Sequence, residues 1–271
     1  MTDPQFLARS YEAYAEVEAE FNDALDVSLD PCGPGMLFDL VAEIGLPAGA
    51  RALDVGCGEG GHAFELADRF GLRVHGVDPV PRHIDIAKSQ ARPESTAAVT
   101  FEAGTAQALP VADASVDLVW CRDTLCHVED LDAAYAEFRR VLKPDGTALV
   151  YQMFATDTLE PNEAAWLFST MGCIPSSMDP TRSEAAMMAS GLSIERRLVL
   201  GTQWGERGQE TTGKGGRKLL HAARLLREPE RYVSRYGRSN YDIALGDCLW
   251  HVYRLIGKLS DRVYRLRRPS G

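Results

Sequence analysis

The stretch Leu53-Asp54-Val55-Gly56-Cys57-Gly58-Glu59-Gly60-Gly61 decides the fold. A short apolar run over 50–55 opens into glycines, after which Ala63, Leu66, Ala67 and Phe70 recur at helical spacing until Gly71 stops them. A strand therefore passes into a helix through backbone that can approach a ligand closely. The next apolar run, 73–78, ends on Asp78, twenty residues past Gly58. Gly56, Gly58 and Gly61 fit G-x-G-x-x-G, and Gly56, Gly58 and Gly60 fit the shorter G-x-G-x-G. A glycine loop between strand and helix, followed by an acid ending the next strand, points to an adenosine-containing ligand. A carboxylate at that place accepts from both ribose hydroxyls.

Strands and helices alternate outward from this point. Further strands are expected over 99–103, 116–121 and 147–154, with helices over 84–90 and 131–141, the last capped by Asp130. Pro144-Asp145-Gly146 is expected to turn the chain into the fifth strand. Repeated strand–helix–strand units imply a parallel sheet covered on both faces, with ligands at the carboxyl ends of its strands. Before the sheet, Phe6, Ser10, Ala13, Tyr14, Val17 and Phe21 mark a helix over 5–26, and a second runs from Met36 to about Ile44. After it, 183–190 reads as helix, 192–200 as strand, 205–216 as loop, 218–236 and 243–259 as helices, and 262–266 as a final strand. A mostly helical insertion of that length inside a terminal hairpin is more often functional than a spacer.

The charges around the glycine loop separate two cofactors. A dinucleotide would lay its pyrophosphate on the helix amino terminus. Asp54 and Glu59 flank the loop with no cation between them, and a carboxylate about 5 Å from a phosphate charge costs roughly 3 kcal/mol at an effective dielectric near 20. S-adenosylmethionine carries no phosphate and offers an ammonium and a sulfonium instead, so the acidic loop favours it over NAD.

With Leu53–Gly60, Gly76-Val77-Asp78, Ala108-Leu109-Pro110, Asp117-Leu118-Val119, Leu125-Cys126-His127-Val128-Glu129-Asp130 and Leu142-Lys143-Pro144-Asp145-Gly146 in this order, the chain resembles the class I S-adenosylmethionine-dependent methyltransferase superfamily, of small-molecule type. The resemblance covers about residues 50–155. It implies an α/β, Rossmann-like, seven-stranded, mostly parallel sheet with helices on both faces, an N-terminal helical cap and a C-terminal helical insertion. The divisions would be 1–46 for the N-terminal helices, 47–204 for the cofactor-binding core, 205–260 for the insertion or lid, and 261–271 for the last strand and tail.

The resemblance also implies site roles. Asp54, Gly56, Cys57, Gly58 and Gly60 would hold the methionine portion of the cofactor. Asp78 and Pro79 would hold its ribose, and Thr105 and Ala106 its adenine, with Thr105 standing where many relatives have Asp. Cys121 and Arg122 would face the methionine end, largely through backbone. Tyr14, and beside it Tyr11 toward the substrate, resemble aromatic residues that close over the cofactor. Asp123, Met153, Phe154 and Trp204 are the expected substrate-binding positions. His127 is the catalytic candidate as general base, with a loop-bracing role as its alternative. The expected reaction moves a methyl group to an O, N or C nucleophile of a small molecule. RNA or protein methylation, and a repurposed protein that binds the cofactor without methyl transfer, are the alternatives.

At 271 residues, 45% hydrophobic and 25% charged, the chain fits one elaborated domain of ordinary globular composition. No run of 18 apolar residues and no basic-then-apolar start is present, so neither a membrane span nor a secretory signal is expected. None of the six cysteines has C-x-x-C spacing. Reduced thiols, a cytoplasmic location and no metal are expected. The net charge of −10 is uneven: residues 1–200 hold 14 Lys and Arg against 32 Asp and Glu, whereas residues 201–271 hold 15 against 7. The basic end suits either an anionic ligand or solvated helix faces. The acidic total and the lack of an RNA-binding module argue against nucleic acid as a partner. A small-molecule substrate and a monomer or homodimer are expected.

Overall fold

The computed structural model describes residues 4–91 and 98–270; the polar start over residues 1–3 lies outside the described residues. Two helices come first, α1 (Pro4–Leu25) and α2 (Met36–Ile44), the second stopped by Gly45. Then follow β1 (Arg51–Val55), α3 (Gly61–Phe70), β2 (Arg73–Asp78), α4 (Pro81–Gln90), β3 (Val99–Ala103), β4 (Val116–Arg122), α5 (Leu131–Val141) and β5 (Leu142–Ala155). The seventh strand is β7 (Leu259–Arg267), reached after α6 (Pro161–Met171), α7 (Pro180–Ala189), β6 (Ser193–Gly201), α8 (Gln203–Thr212), α9 (Lys214–Arg227), α10 (Pro229–Tyr236) and α11 (Arg238–Leu255).

The strands lie in the order β3-β2-β1-β4-β5-β7-β6. The first five run parallel, and β7 is antiparallel to both β5 and β6. The expected α/β, Rossmann-like sheet is therefore present. Strand order reverses between β1 and β4, which opens a crevice at their carboxyl ends.

Side-chain alternation divides the core into two layers. Leu53 and Val55 join Tyr135 and Phe138 of α5 on one face. Ala52, Leu118 and Trp120 join Phe38 of α2 and Leu66 of α3 on the other. The α5 stripe Leu131, Ala134, Tyr135, Phe138 and Val141 is wholly buried, and a fully buried Phe138 contributes roughly 1.5–3 kcal/mol. Asp130 caps this helix by accepting from the Ala133 N–H at 2.9 Å. Arg140 on the same helix reaches the carbonyls of Leu109 and Val111 at 3.0 and 2.9 Å, which fixes the loop below the crevice.

Several expectations for the second half are corrected. Residues 205–216 fall in two helices, α8 to Thr212 and α9 from Lys214, joined by left-handed Gly213, and Gly205 serves close packing: a Cβ there would lie 3.1 Å from the Leu255 Cα. The helix expected over 218–236 breaks at Pro229, whose ring cannot continue α9. The helix α6, started by Pro161 and a capping box of Glu160 and Glu163, has no counterpart in the sequence reading. Pro144-Asp145-Gly146 is an irregularity inside β5 and not a turn before it, since Val116 pairs with Leu142 and Leu118 with Thr147. The apolar face of α1 is exposed, with Phe6 at 59% and Phe21 at 60%.

The helices α8–α11, which lie between β6 and β7, are tied to the sheet by a buried charge. Asp261 on β7 is fully buried and accepts from Tyr151 Oη at 2.7 Å and Arg254 Nε at 2.7 Å. Burial pushes its carboxyl up, and Arg254 and Tyr151 oppose that push. Removing one partner of such a pair leaves an uncompensated charge. Arg254→Met is expected to lower unfolding stability by about 3–5 kcal/mol in urea titrations, and adding Asp261→Asn to recover part of the loss. A cost below about 1 kcal/mol for Arg254→Met would show that the pair does not anchor the helices.

Candidate active site

The glycine loop sits at the crevice between β1 and β4. Gly56 and Cys57 donate their N–H groups to the Val77 carbonyl at 2.7 and 3.1 Å, so the loop turns sharply off β1. Gly56 has φ 74°, and a Cβ there would fall 1.9 Å from Thr124 Oγ1. Gly56, Gly58 and Gly60 all have positive φ while Gly61 does not, so the shorter of the two glycine patterns is the one the backbone uses.

Asp78 closes the loop from below. Its Oδ2 accepts from the Gly58 N–H at 2.9 Å, and its Oδ1 from the Val80 N–H at 2.9 Å. His83 Nδ1 lies 3.1 Å from the same Oδ1. These groups border a cleft of about 550 Å³ that also takes in Pro79, Thr105, Ala106, Gln107, Arg122, Asp123 and His127. His83 and Gln107 were missed in the sequence. The proline-started helix right after Asp78 was the available signal for His83, and the loop after β3 for Gln107.

Asp54, at the end of β1, is 2% exposed and its Oδ2 has no hydrogen-bond partner among the described residues. Burial pushes its carboxyl up to about 7, Asp78 adds to the push and Arg122 opposes it. Paired with Trp120 in register, Asp54 shares a sheet face with Trp120 and Arg122. Arg122 Nη1 donates to His62 Nε2 at 2.6 Å. The His62 ring is held neutral, pushed down to about 4 by burial and by Arg122. Arg122 also lies over the rings of Tyr151 and Trp204, at 5.6 and 5.7 Å.

Trp204 is 4% exposed and stacks on Tyr151 with centroids 4.4 Å apart. His127 is in a short 3-10 turn, Leu125–His127, and its Nδ1 lies 2.8 Å from the Gly172 carbonyl. A carbonyl only accepts, so Nδ1 donates to it, and in the neutral ring Nε2 is the nitrogen left to accept. Asp123, at φ 53°, has 47% of its side chain open to the cleft. Desolvation pushes its carboxyl up, less than full burial would, and Arg122 at 3.8 Å opposes the shift. The Cys121 and Cys57 thiols are pushed up by burial, and Cys121 turns its side chain into the core.

Some expected positions are not brought together. Met153 and Phe154 are 3% and 1% exposed and pack into the core, because β5 continues to Ala155 and pairs with β7 along that length. Neither lines the cleft. Tyr11 and Tyr14 are 75% and 64% exposed on α1 and line no described cavity. Cys126 and Cys173, 47 residues apart in sequence, place their thiols within 4.8 Å of each other and of a His127 ring nitrogen. The spacing rules applied to the sequence had no means of finding that group.

Asp54 Oδ2 fits a cationic ligand end, and the glycine loop and Asp78 fit a nucleoside. A family model described as a methyltransferase domain matches residues 53–150. Methyltransferase GfsG of Streptomyces halstedii is 33% identical over 49% of this chain and 49% of its own length. Dimethylglycine N-methyltransferase of Parasynechococcus marenigrum is 29% identical over 83% of this chain and 77% of its own. The matches span 49%, 23% and 33% of the first three curated relatives. Among solved structures, the [4+2]-cyclase SpnF has a TM-score of 0.68 at 25% identity, over 87% of this chain and 82% of that one. Phosphoethanolamine N-methyltransferase 2 of Haemonchus contortus, solved with S-adenosylhomocysteine, has a TM-score of 0.68 at 22% identity, over 90% of this chain and 54% of that one. Residues 53–150, which include the glycine loop, are thus similar to methyltransferase domains, and the strand order is that of a Rossmann-like fold.

Proposed function

We propose that this chain transfers a methyl group from S-adenosylmethionine to an O, N or C nucleophile of a small molecule. The observation that carries the reading is the buried Asp54 Oδ2, without a hydrogen-bond partner among the described residues, beside a glycine loop at the sheet's switch point. Asp54 would hold the cofactor's ammonium, Asp78 its ribose, and Thr105, Ala106 and Gln107 its adenine edge. When bound, the cofactor supplies a methyl carbon already activated by a sulfonium. The protein's main task is then alignment, which can contribute roughly 7–11 kcal/mol. His127, with Nε2 free to accept, is the proposed base, and Asp123 and Trp204 the proposed substrate contacts. Met153 and Phe154 support that pocket from the core. Tyr11 and Tyr14 would reach the cofactor by movement of α1 onto the cleft, and α8–α11 would form the opposite wall.

We propose a cytoplasmic monomer or homodimer. All six cysteines are free, which supports a reducing compartment, and no described helix is long and apolar enough to cross a membrane. Much of the basic 214–238 stretch is internally paired, as in Arg231–Glu228 and Lys218–Asp247, which supports a small molecule over nucleic acid. The likeness to a [4+2]-cyclase favours one second reading, cofactor binding without methyl transfer.

Turnover, read as S-adenosylhomocysteine release across small acceptors, separates these readings: release supports transfer, and binding with no release for any acceptor supports the second. His127→Gln is expected to slow release by about 10²–10⁴-fold; a wild-type rate and pH profile would leave His127 a brace for the Gly172 loop.

Asp54 adds a pH signature. Its folded carboxyl binds a proton up to about pH 7, well above the unfolded group. Between about pH 4 and 7 the folded chain thus holds the extra proton, and this group's contribution to stability falls as pH rises. The ionised form is the one that attracts an ammonium. Calorimetry is expected to show S-adenosylhomocysteine affinity rising from pH 6 to 8 in wild type and flat in Asp54→Asn. Equal pH dependence in both would contradict the assignment.

A further inference from the structure

The basic surplus after residue 200 plays no part in the methyl-transfer geometry, yet some of it converges on one place. A second cavity, of about 280 Å³, lies among α8, the start of α9 and the end of α11. It meets the cofactor cleft at Arg122, which lines both. Its wall carries Arg122, Arg207, Lys214, Arg254 and His251, and no Asp or Glu. For a chain of net charge −10 this is a local reversal of sign.

Two of these cations are already balanced. Arg254 is bound to Asp261, and Arg122 has Asp123 at 3.8 Å. Arg207 and Lys214 have no carboxylate partner among the described residues. Nearby Asp247 lies outside the cavity wall, 3.8 Å from His251 and paired with Lys218. Burial and Lys214 push the His251 ring down to about 4, so it stays neutral and can hydrogen-bond without adding charge. Gly215, at the amino end of α9, is buried on the same wall, where the helix end adds positive potential. Trp204 forms an apolar floor between the guanidiniums of Arg122 and Arg254, which lie 5.7 and 5.1 Å from its ring. An apolar floor with Arg207 and Lys214 on the same wall suits a small molecule with one anionic end.

We propose that this cavity binds a phosphate or carboxylate group of the methyl acceptor. The acceptor's charged end lies at Arg207 and Lys214, and its nucleophile reaches past Arg122 toward the cofactor cleft. Only that last direction rests on the methyl-transfer reading; the anion site stands on the charge and shape of the cavity.

Inorganic phosphate and, separately, acetate are titrated calorimetrically into the full chain, with and without S-adenosylhomocysteine, at ionic strength fixed with chloride. Saturable binding is expected, and the tighter of the two anions names the group. The double variant Arg207→Gln/Lys214→Gln is expected to weaken it about 10- to 100-fold, with S-adenosylhomocysteine affinity and melting temperature unchanged, while Lys214→Arg retains it. Absence of saturable binding for both anions, or equal affinity in the double variant, overturns the proposal. Anion binding without S-adenosylhomocysteine binding would keep this site and remove the methyl-transfer reading; the converse would remove this site alone.

Discussion

Two carboxylates, Asp54 and Asp78, end adjacent parallel strands beside one glycine loop, and each is almost fully buried. Like charges so placed raise each other's cost of ionisation, and the effect is visible in Asp54. Asp78 is held by two backbone amides and by His83, contacts that also shape the loop. Asp54 Oδ2 accepts no hydrogen bond among the described residues, and Arg122 supplies the opposing charge. The fold thus gathers two buried carboxyl groups where a phosphate-bearing cofactor would need the opposite sign.

Arg122 divides the molecule's electrostatics. On one side it lowers the cost of Asp54; on the other it belongs to the cationic wall of the second cavity. Its position is overdetermined by His62 and by the stacked Tyr151 and Trp204 rings. Tyr151 in turn donates to Asp261, which holds Arg254 of α11. A continuous chain of contacts thereby runs from the glycine loop to the helices between β6 and β7, so the two cavities share one framework.

The core of this arrangement was legible because it is local. The strand–glycine–helix passage, the acid twenty residues on, and the apolar stripe of α5 are patterns within short windows, and each landed where the structure has it. What was not legible depends on distant packing. The glycine-rich stretch 205–216 read as loop because nothing nearby shows that Leu255 presses against Gly205 and Gly215. Met153 and Phe154 read as pocket residues because the depth of the β5–β7 pairing is set by the far end of the chain. His62, 60 residues before Arg122, and Cys173 beside Cys126 become neighbours only through the folded sheet. Tyr11 and Tyr14 were inferred from resemblance alone, and α1 leaves them exposed.

The most direct test of this account is a crystal structure of the chain with S-adenosylhomocysteine. The ligand's amino group is expected within hydrogen-bond distance of Asp54, about 2.7–3.2 Å, and its ribose hydroxyls on Asp78. A ligand bound elsewhere, or one whose amino group leaves Asp54 Oδ2 still without a partner, would contradict it.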